Sequence, residues 1–317
     1  MFRKAERRQA KLRLALCGPS GSGKTYSALL IAQGLAPEGP IAVIDTERGS
    51  GELYADLTAY DVAPLAPPYS PARYIERIQA AEQAGYAVLI IDSLTHAWVG
   101  DGGILEMHDK ATAALRGGNS FAAWREVTPK HNQLVDTLLG AQLHVIVTLR
   151  TKTAYDLVEE NGRKKPLKVG LAPVQREGIE YEFTTVLDLA VDGHTATATK
   201  DRTRLFDGSH FVPSAATGQA LRGWLEQGSD PGAASQAALV TLLASVDQIP
   251  TLGQLNSWWR QQREPITQLT AADRERLAAH CAARKLALHG VSEDAEPLPP
   301  PPQPATRTDA TRPYPAH

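Results

Sequence analysis

Residues Gly18-Pro19-Ser20-Gly21-Ser22-Gly23-Lys24-Thr25 carry the spacing of a phosphate-binding loop: a glycine, four residues, then Gly-Lys and a hydroxyl residue. Glycines in such a loop let consecutive backbone N–H groups curl around phosphate oxygens. The helix that follows adds partial positive charge at its N-terminus. Lys24 is placed to reach the β- and γ-phosphates of ATP, and the Thr25 hydroxyl to hold Mg²⁺. Tyr26, next in line, completes the set expected to contact the nucleotide.

Two carboxylates extend this chemistry. The run Ala87-Val88-Leu89-Ile90-Ile91-Asp92 is apolar until its last residue, so Asp92 is expected at the end of a buried strand, binding Mg²⁺ through water. Many ATPases put a water-activating Glu directly after that Asp. Here the residue is Ser93, so the base has to come from elsewhere. Ile41-Ala42-Val43-Ile44-Asp45-Thr46-Glu47 supplies it. Glu47 lies just past a strand expected to neighbour the nucleotide, where a carboxylate can orient or deprotonate the attacking water.

These residues need a scaffold that brings strand ends together. Strand-like runs at 12–17, 41–45, 87–92 and 144–149 alternate with helical patterns. One helix is expected to start with Ser70 as cap and Pro71 at its first position, and to end before Gly85. Thr128, Pro129 and Gly140 repeat the same punctuation. A β-rich stretch follows at 181–191 and 195–200, with Asp192-Gly193 as a hairpin-type turn. Alternation of this kind predicts an α/β fold with a mainly parallel sheet, helices on both faces and right-handed crossovers. Ligands of such sheets bind at the carboxyl ends of the strands. The phosphate loop, Asp45 and Asp92 all fall there.

Composition narrows the class further. The apolar fraction is 43% of 317 residues, with 33 basic and 35 acidic residues, for a formal charge of −2. That balance leaves nucleic-acid contact to local basic segments. No run of 18 apolar residues occurs, so no membrane span is expected. The charged start is unlike a secretory signal. Cys17 and Cys281 read as separate buried thiols, pointing to a reducing cytoplasm. The expected divisions are a basic arm at 1–11, an ATPase domain at 12–226, a linker at 227–235, a small helical region at 236–290, and a Pro-rich disordered tail at 291–317. Helical patterns in the third part lie at 236–246, 252–262 and 271–288. His96, Trp98, His108 and His131 show no metal-ligand spacing and read as packing residues.

The order of phosphate loop, Ile44-Asp45-Thr46-Glu47 and Ile91-Asp92-Ser93-Leu94 resembles the RecA-like recombinase ATPases. The resemblance covers roughly residues 10–225. Residues 18–51, 89–98, 119–128 and 168–182 look more closely like the phage-encoded members, including single-strand annealing proteins of the Sak type. It implies a RecA-like P-loop fold, Mg²⁺-dependent ATP hydrolysis stimulated by single-stranded DNA, assembly into a homo-oligomer inside a bacterial host cell, and a single-stranded-DNA-binding protein as a further partner. It implies Glu47 as catalytic base, and a γ-phosphate sensor at the end of the fourth strand, where Thr148 or Arg150 stands in place of the family's Asn or Gln. It also places a DNA-binding loop over 151–170, with Lys152, Arg163, Lys164, Lys165 and Lys168 as contacts and Tyr155 able to stack on a base. The same segment holds Asp156, Glu159 and Glu160, so a solvated hairpin around Asn161-Gly162 is the competing reading. Lys200 and Arg202 match the basic positions that reach a neighbour's nucleotide across the subunit interface. Arg3, Lys4, Arg7, Arg8, Lys11 and Arg13 form a basic stretch suited to phosphates or to solvent. Two other functions stay open on the same residues: a DNA-annealing module that holds nucleotide without hydrolysing it, and a small-molecule kinase.

Overall fold

The computed structural model describes residues 7, 9–115, 117–160 and 163–288, apart from the side chains of 153–170 and 231. Two compact units emerge: Ala10–Glu226, and the chain from Gln227 onward together with the residues up to Gln9.

The first unit is built in the order β1 (Arg13–Gly18), α1 (Lys24–Leu35), β2 (Ile41–Asp45), β3 (Asp61–Pro64), α2 (Pro71–Gln83), β4 (Val88–Asp92), α3 (His96–Val99), α4 (Ile104–Ala114), α5 (Ser120–Gly140), β5 (His144–Glu160), β6 (Arg163–Pro173), β7 (Thr185–Leu189), β8 (Ala196–Asp201), β9 (His210–Phe211) and α6 (Ala215–Leu225). The strands form one nine-stranded sheet in the order β3-β2-β4-β5-β1-β7-β8-β9, with β6 paired to β5 off that path. Strands β1 to β5 and β7 run parallel, while β6, β8 and β9 pair antiparallel. This is the expected α/β P-loop architecture.

Parallel strands covered on both faces need apolar residues at every position rather than at alternate ones. That is why β2 and β4 are buried throughout. Residues facing one way, such as Leu14, Leu16, Val43 and Ile90, pack on α1 and α6. Those facing the other way, such as Ala15, Ile44, Ile91 and Val147, pack on α2 and α5. Helices α1 and α6 approach closely: a Cβ at Gly218 would stand 2.1 Å from the Ile31 carbonyl.

Several elements depart from the sequence expectation. The helix expected to begin at Thr128–Pro129 begins at Ser120. Its cap is Asn119, whose side chain accepts from the Ala122 N–H at 3.1 Å, and Pro129 lies inside it. One face of the whole helix buries Ala123, Val127, His131, Leu134 and Leu138, and this packing carries it through the residue that lacks a donor. Strand β3 was not anticipated. It is a four-residue edge strand ending in Pro64, and a proline is tolerated at an edge because only one side needs donors. Arg13, counted with the N-terminal basic stretch, is buried in β1. Its guanidinium donates to the Leu12 carbonyl at 2.8 Å, the Leu143 and Leu139 carbonyls at 2.9 Å, and the Ala141 carbonyl. It thereby ties the end of α5 to the start of β5. Burial brings its pKa down to about 10. Lys11 is exposed, as is Arg7, and Arg3, Lys4 and Arg8 lie outside the described residues.

Strand β5 is longer than its expected span of 144–149. It runs in the parallel sheet as far as Arg150, opposite Gly18. From Thr151 it leaves that sheet and pairs with β6, from Thr151 opposite Pro173 to Glu160 opposite Arg163. The resulting ribbon arm is roughly 30 Å long at the usual rise per strand residue.

The second unit holds α7 (Pro231–Asp247), α8 (Leu252–Gln261), α9 (Arg263–Gln268) and α10 (Ala271–Leu288) around Leu239, Val246, Leu255, Trp259, Ile266 and Leu277. Helix α7 starts five residues before the expected 236, because Asp230 caps it by accepting from the Gly232 N–H at 2.8 Å. The Gln9 N–H donates to the Ser229 carbonyl at 3.0 Å, and the Ser229 N–H returns to the Arg7 carbonyl at 3.1 Å. The tail at 291–317 lies outside the described residues. Among the described residues, no helix is long and apolar enough to cross a membrane.

Candidate functional site

The parallel register brings the carboxyl ends of β1, β2, β4 and β5 to one edge of the sheet. Gly18 stands opposite Arg150, and Asp45 opposite Asp92. Every candidate of the phosphate loop and of the two carboxylate motifs gathers there.

The loop leaves β1 at Gly18 and enters α1 at Lys24. Gly23 has φ +84°, a left-handed conformation that side chains rarely adopt. A Cβ there would also press on the His194 ring, 3.2 Å from its Nδ1. Pro19 and Ser20 form the outer turn, which the Ser22 N–H closes by donating to the Pro19 carbonyl at 3.3 Å. The Ser22 hydroxyl is buried, with no hydrogen-bond partner among the described residues. Lys24 Nζ donates to the Pro19 carbonyl at 2.8 Å, so the ammonium lies across the loop. Desolvation lowers its pKa, and the nearby Asp92 and Glu47 act the other way. Tyr26 is 43% exposed and meets Tyr54 edge-on at 5.8 Å.

Thr25 Oγ1 donates to Asp92 Oδ2 at 2.6 Å. Thr148, wholly buried on β5, donates to Asp92 Oδ1. Burial raises the Asp92 pKa, and the two hydroxyl donors offset part of that rise. A hydroxyl and a carboxylate in contact beside the phosphate loop are the hard oxygen donors that Mg²⁺ takes, with phosphate oxygens and water filling its other positions. Thr25 and Asp92 therefore fit the expected metal.

Glu47 sits beyond β2 on a loop folded around Asp45. The Asp45 carboxylate accepts from the N–H groups of Glu47 at 2.6 Å, Gly49 at 2.8 Å and Gly51 at 3.4 Å. Arg150, the last residue of β5 in the parallel sheet, meets Glu47 with two nitrogens. Its Nε lies 3.1 Å from Oε1, and its Nη2 contacts Oε2. The two sensor candidates thus have different partners: Thr148 braces Asp92, and Arg150 holds Glu47.

Lys200 and Arg202 lie away from this edge. Lys200 Nζ donates to the Glu180 carbonyl at 3.0 Å and to the Tyr181 carbonyl, and Arg202 donates to the Tyr181 carbonyl at 3.2 Å. Both cations clamp the turn at Ile179–Glu182. Lys152 is exposed at the base of the ribbon, while the side chains of Arg163, Lys164, Lys165, Lys168 and Tyr155 lie outside the described residues. Sequence reading passed over His194, Thr46 and Tyr54, and took His96 for a packing residue. The signal available was position alone: Thr46 precedes Glu47, and His96 stands four residues after Asp92. Trp98, His108 and His131 do pack, in a ladder of rings with Trp124.

The family model described as an AAA domain matches residues 10–214, the span that holds every residue of this edge. No curated protein matches the chain.

Proposed function

The chain belongs to the AAA-domain family, an AAA-type P-loop ATPase, and from that premise we propose that it is a RecA-like, Mg²⁺-dependent ATPase of phage-type DNA recombination, repair or single-strand annealing, bound to single-stranded DNA as an oligomer. One observation carries the reading. Strand β5 braces Asp92 through Thr148, holds Glu47 through Arg150, and in the next residue enters a ribbon whose sequence bears five cations. Lys152, at the base of the ribbon, stands two residues from Arg150 and four from Thr148, the side chains that contact the two carboxylates.

In hydrolysis, a water oxygen attacks the γ-phosphorus, the bond to the ADP oxygen breaks, and the water proton passes to Glu47. Thr25 and Asp92 would hold Mg²⁺, which when bound would neutralise phosphate charge. Lys24 and the loop N–H groups hold the same phosphates in line, and Thr148 keeps Asp92 oriented. The Glu47 carboxylate has to turn from Arg150 toward water, and a γ-phosphate beside Arg150 offers that guanidinium another anion. Lys200 and Arg202 are assigned to the subunit interface, since a cation on a neighbour's nucleotide stabilises transition-state charge.

The ion pair also favours a second reading, an annealing module that binds nucleotide with its base locked. The test is ATPase rate across protein concentration, with and without single-stranded DNA. DNA stimulation that grows with protein concentration supports the first reading. Strand annealing without any Glu47-dependent hydrolysis supports the second.

A further inference from the structure

His96 stands at the junction of the two loops that carry Glu47 and Asp92, with contacts more specific than packing requires. Its Nδ1 lies 2.7 Å from Thr46 Oγ1, and its ring stacks on Tyr69 at 4.9 Å with a 23° tilt. The Thr46 hydroxyl is buried and has one proton to give. It accepts from the Ser93 N–H at 2.7 Å. Its own proton has the Ser93 carbonyl at 3.3 Å and His96 Nδ1 at 2.7 Å as acceptors, with the Tyr74 hydroxyl beside them. Giving the proton to the shorter contact assigns Nδ1 as the acceptor and the imidazole proton to Nε2. Burial lowers the His96 pKa, which agrees with a neutral ring. The Thr46 N–H meanwhile donates to the Asp92 carbonyl at 2.7 Å. Thr46 is therefore stitched to 92–93 by backbone and side chain, and His96 fixes the rotamer that makes the second stitch.

We propose that His96 is a positioning residue for Glu47: by accepting from Thr46 it holds the peptide that carries the base in register with the Asp92–Ser93 turn. This rests on the ATPase reading with Glu47 as base. Without the ring, the Thr46 hydroxyl turns to the more distant Ser93 carbonyl, and the neighbouring Glu47 loses a fixed starting point. Misplacement of a catalytic group by about 1 Å costs up to roughly 100-fold in rate. Tyr69 holds the plane of the ring, so the contact is directional.

The test compares the full-length protein with His96→Ala, His96→Asn and Thr46→Ser, and uses Glu47→Gln as the control for base-dependent hydrolysis. His96→Ala should lower kcat by about 10-fold or more, with KM for ATP and calorimetric ATP affinity unchanged. His96→Asn, whose amide oxygen can stand where Nδ1 stands, should recover most of the loss, and Thr46→Ser should retain turnover. Wild-type turnover in His96→Ala overturns the proposal, as does a loss confined to ATP affinity. If His96→Ala does not fold, His96→Asn decides: normal turnover supports the acceptor role, and lost turnover with intact ATP affinity overturns it. Wild-type protein no faster than Glu47→Gln overturns the ATPase reading and this proposal together. Clear Glu47-dependent hydrolysis beside a fully active His96→Ala overturns the positioning role alone.

Discussion

Glu47→Gln separates chemistry from stability, because the geometry bounds the two effects differently. A general base contributes roughly 10²–10⁴-fold to a rate, which is about 2.7–5.5 kcal/mol in the barrier. Glutamine keeps the shape and an acceptor oxygen but cannot take the water proton, so turnover should fall by that factor. The same change discharges the ion pair with Arg150. Those side chains are 23% and 46% exposed, and a solvent-reached pair is worth only about 0.2–1 kcal/mol. In a domain of this size 1 kcal/mol moves the melting temperature by about 2–4 °C. Loss of folding is therefore far too small to explain the expected loss of rate. Three measurements decide it: steady-state ATP hydrolysis in a coupled assay, ATP affinity by calorimetry, and a thermal melt. The expected result is near-normal affinity and melting with turnover reduced at least 100-fold. Wild-type turnover in the variant would refute the assignment of the base to the loop after β2.

Lys24→Ala should abolish tight ATP binding in calorimetry, since the β- and γ-phosphates lose their cation; unchanged affinity would remove the phosphate-loop reading. Asp92→Asn should lose Mg²⁺-dependent turnover yet melt higher at neutral pH in nucleotide-free protein. The sign follows from burial: a raised folded-state pKa means the folded form keeps its proton longer than the unfolded one, so stability falls as pH rises through that window, and an amide escapes the cost. A variant melting at or below wild type would contradict it. Arg13→Met should leave the Leu139, Ala141 and Leu143 carbonyls short of a donor, for a loss of about 3 kcal/mol or roughly 6–12 °C; an unchanged melt would show that water replaces the guanidinium. Deleting residues 230–317 should leave a folded, nucleotide-binding protein, because Ala10–Glu226 is compact by itself; insolubility with loss of ATP binding would refute that independence.

The phosphate loop was legible in the sequence because its geometry is local. Eight contiguous residues hold the left-handed glycines, the lysine and the hydroxyl, and a strand and a helix flank them directly. The buried strands β2 and β4 were legible for a similar reason, since apolar runs of that length suit a sheet covered on both faces. Asp92 could be read because it ends such a run, and Glu47 because it lies just past one. Strand β3 and the start of α5 could not. The first is too short to announce itself, and the second runs past a proline that reads as a helix start. The partners of the site were also beyond reach. Arg150 meets Glu47 across 103 positions, Thr148 meets Asp92 across 56, and His96 meets Thr46 across 50. Nothing within each local segment specifies these pairs. They exist because β2, β4 and β5 align in parallel with their ends level, and strand pairing of that kind is decided by the packing of the whole sheet. The sequence determined which groups could do the chemistry, and the tertiary structure decided which of them touch.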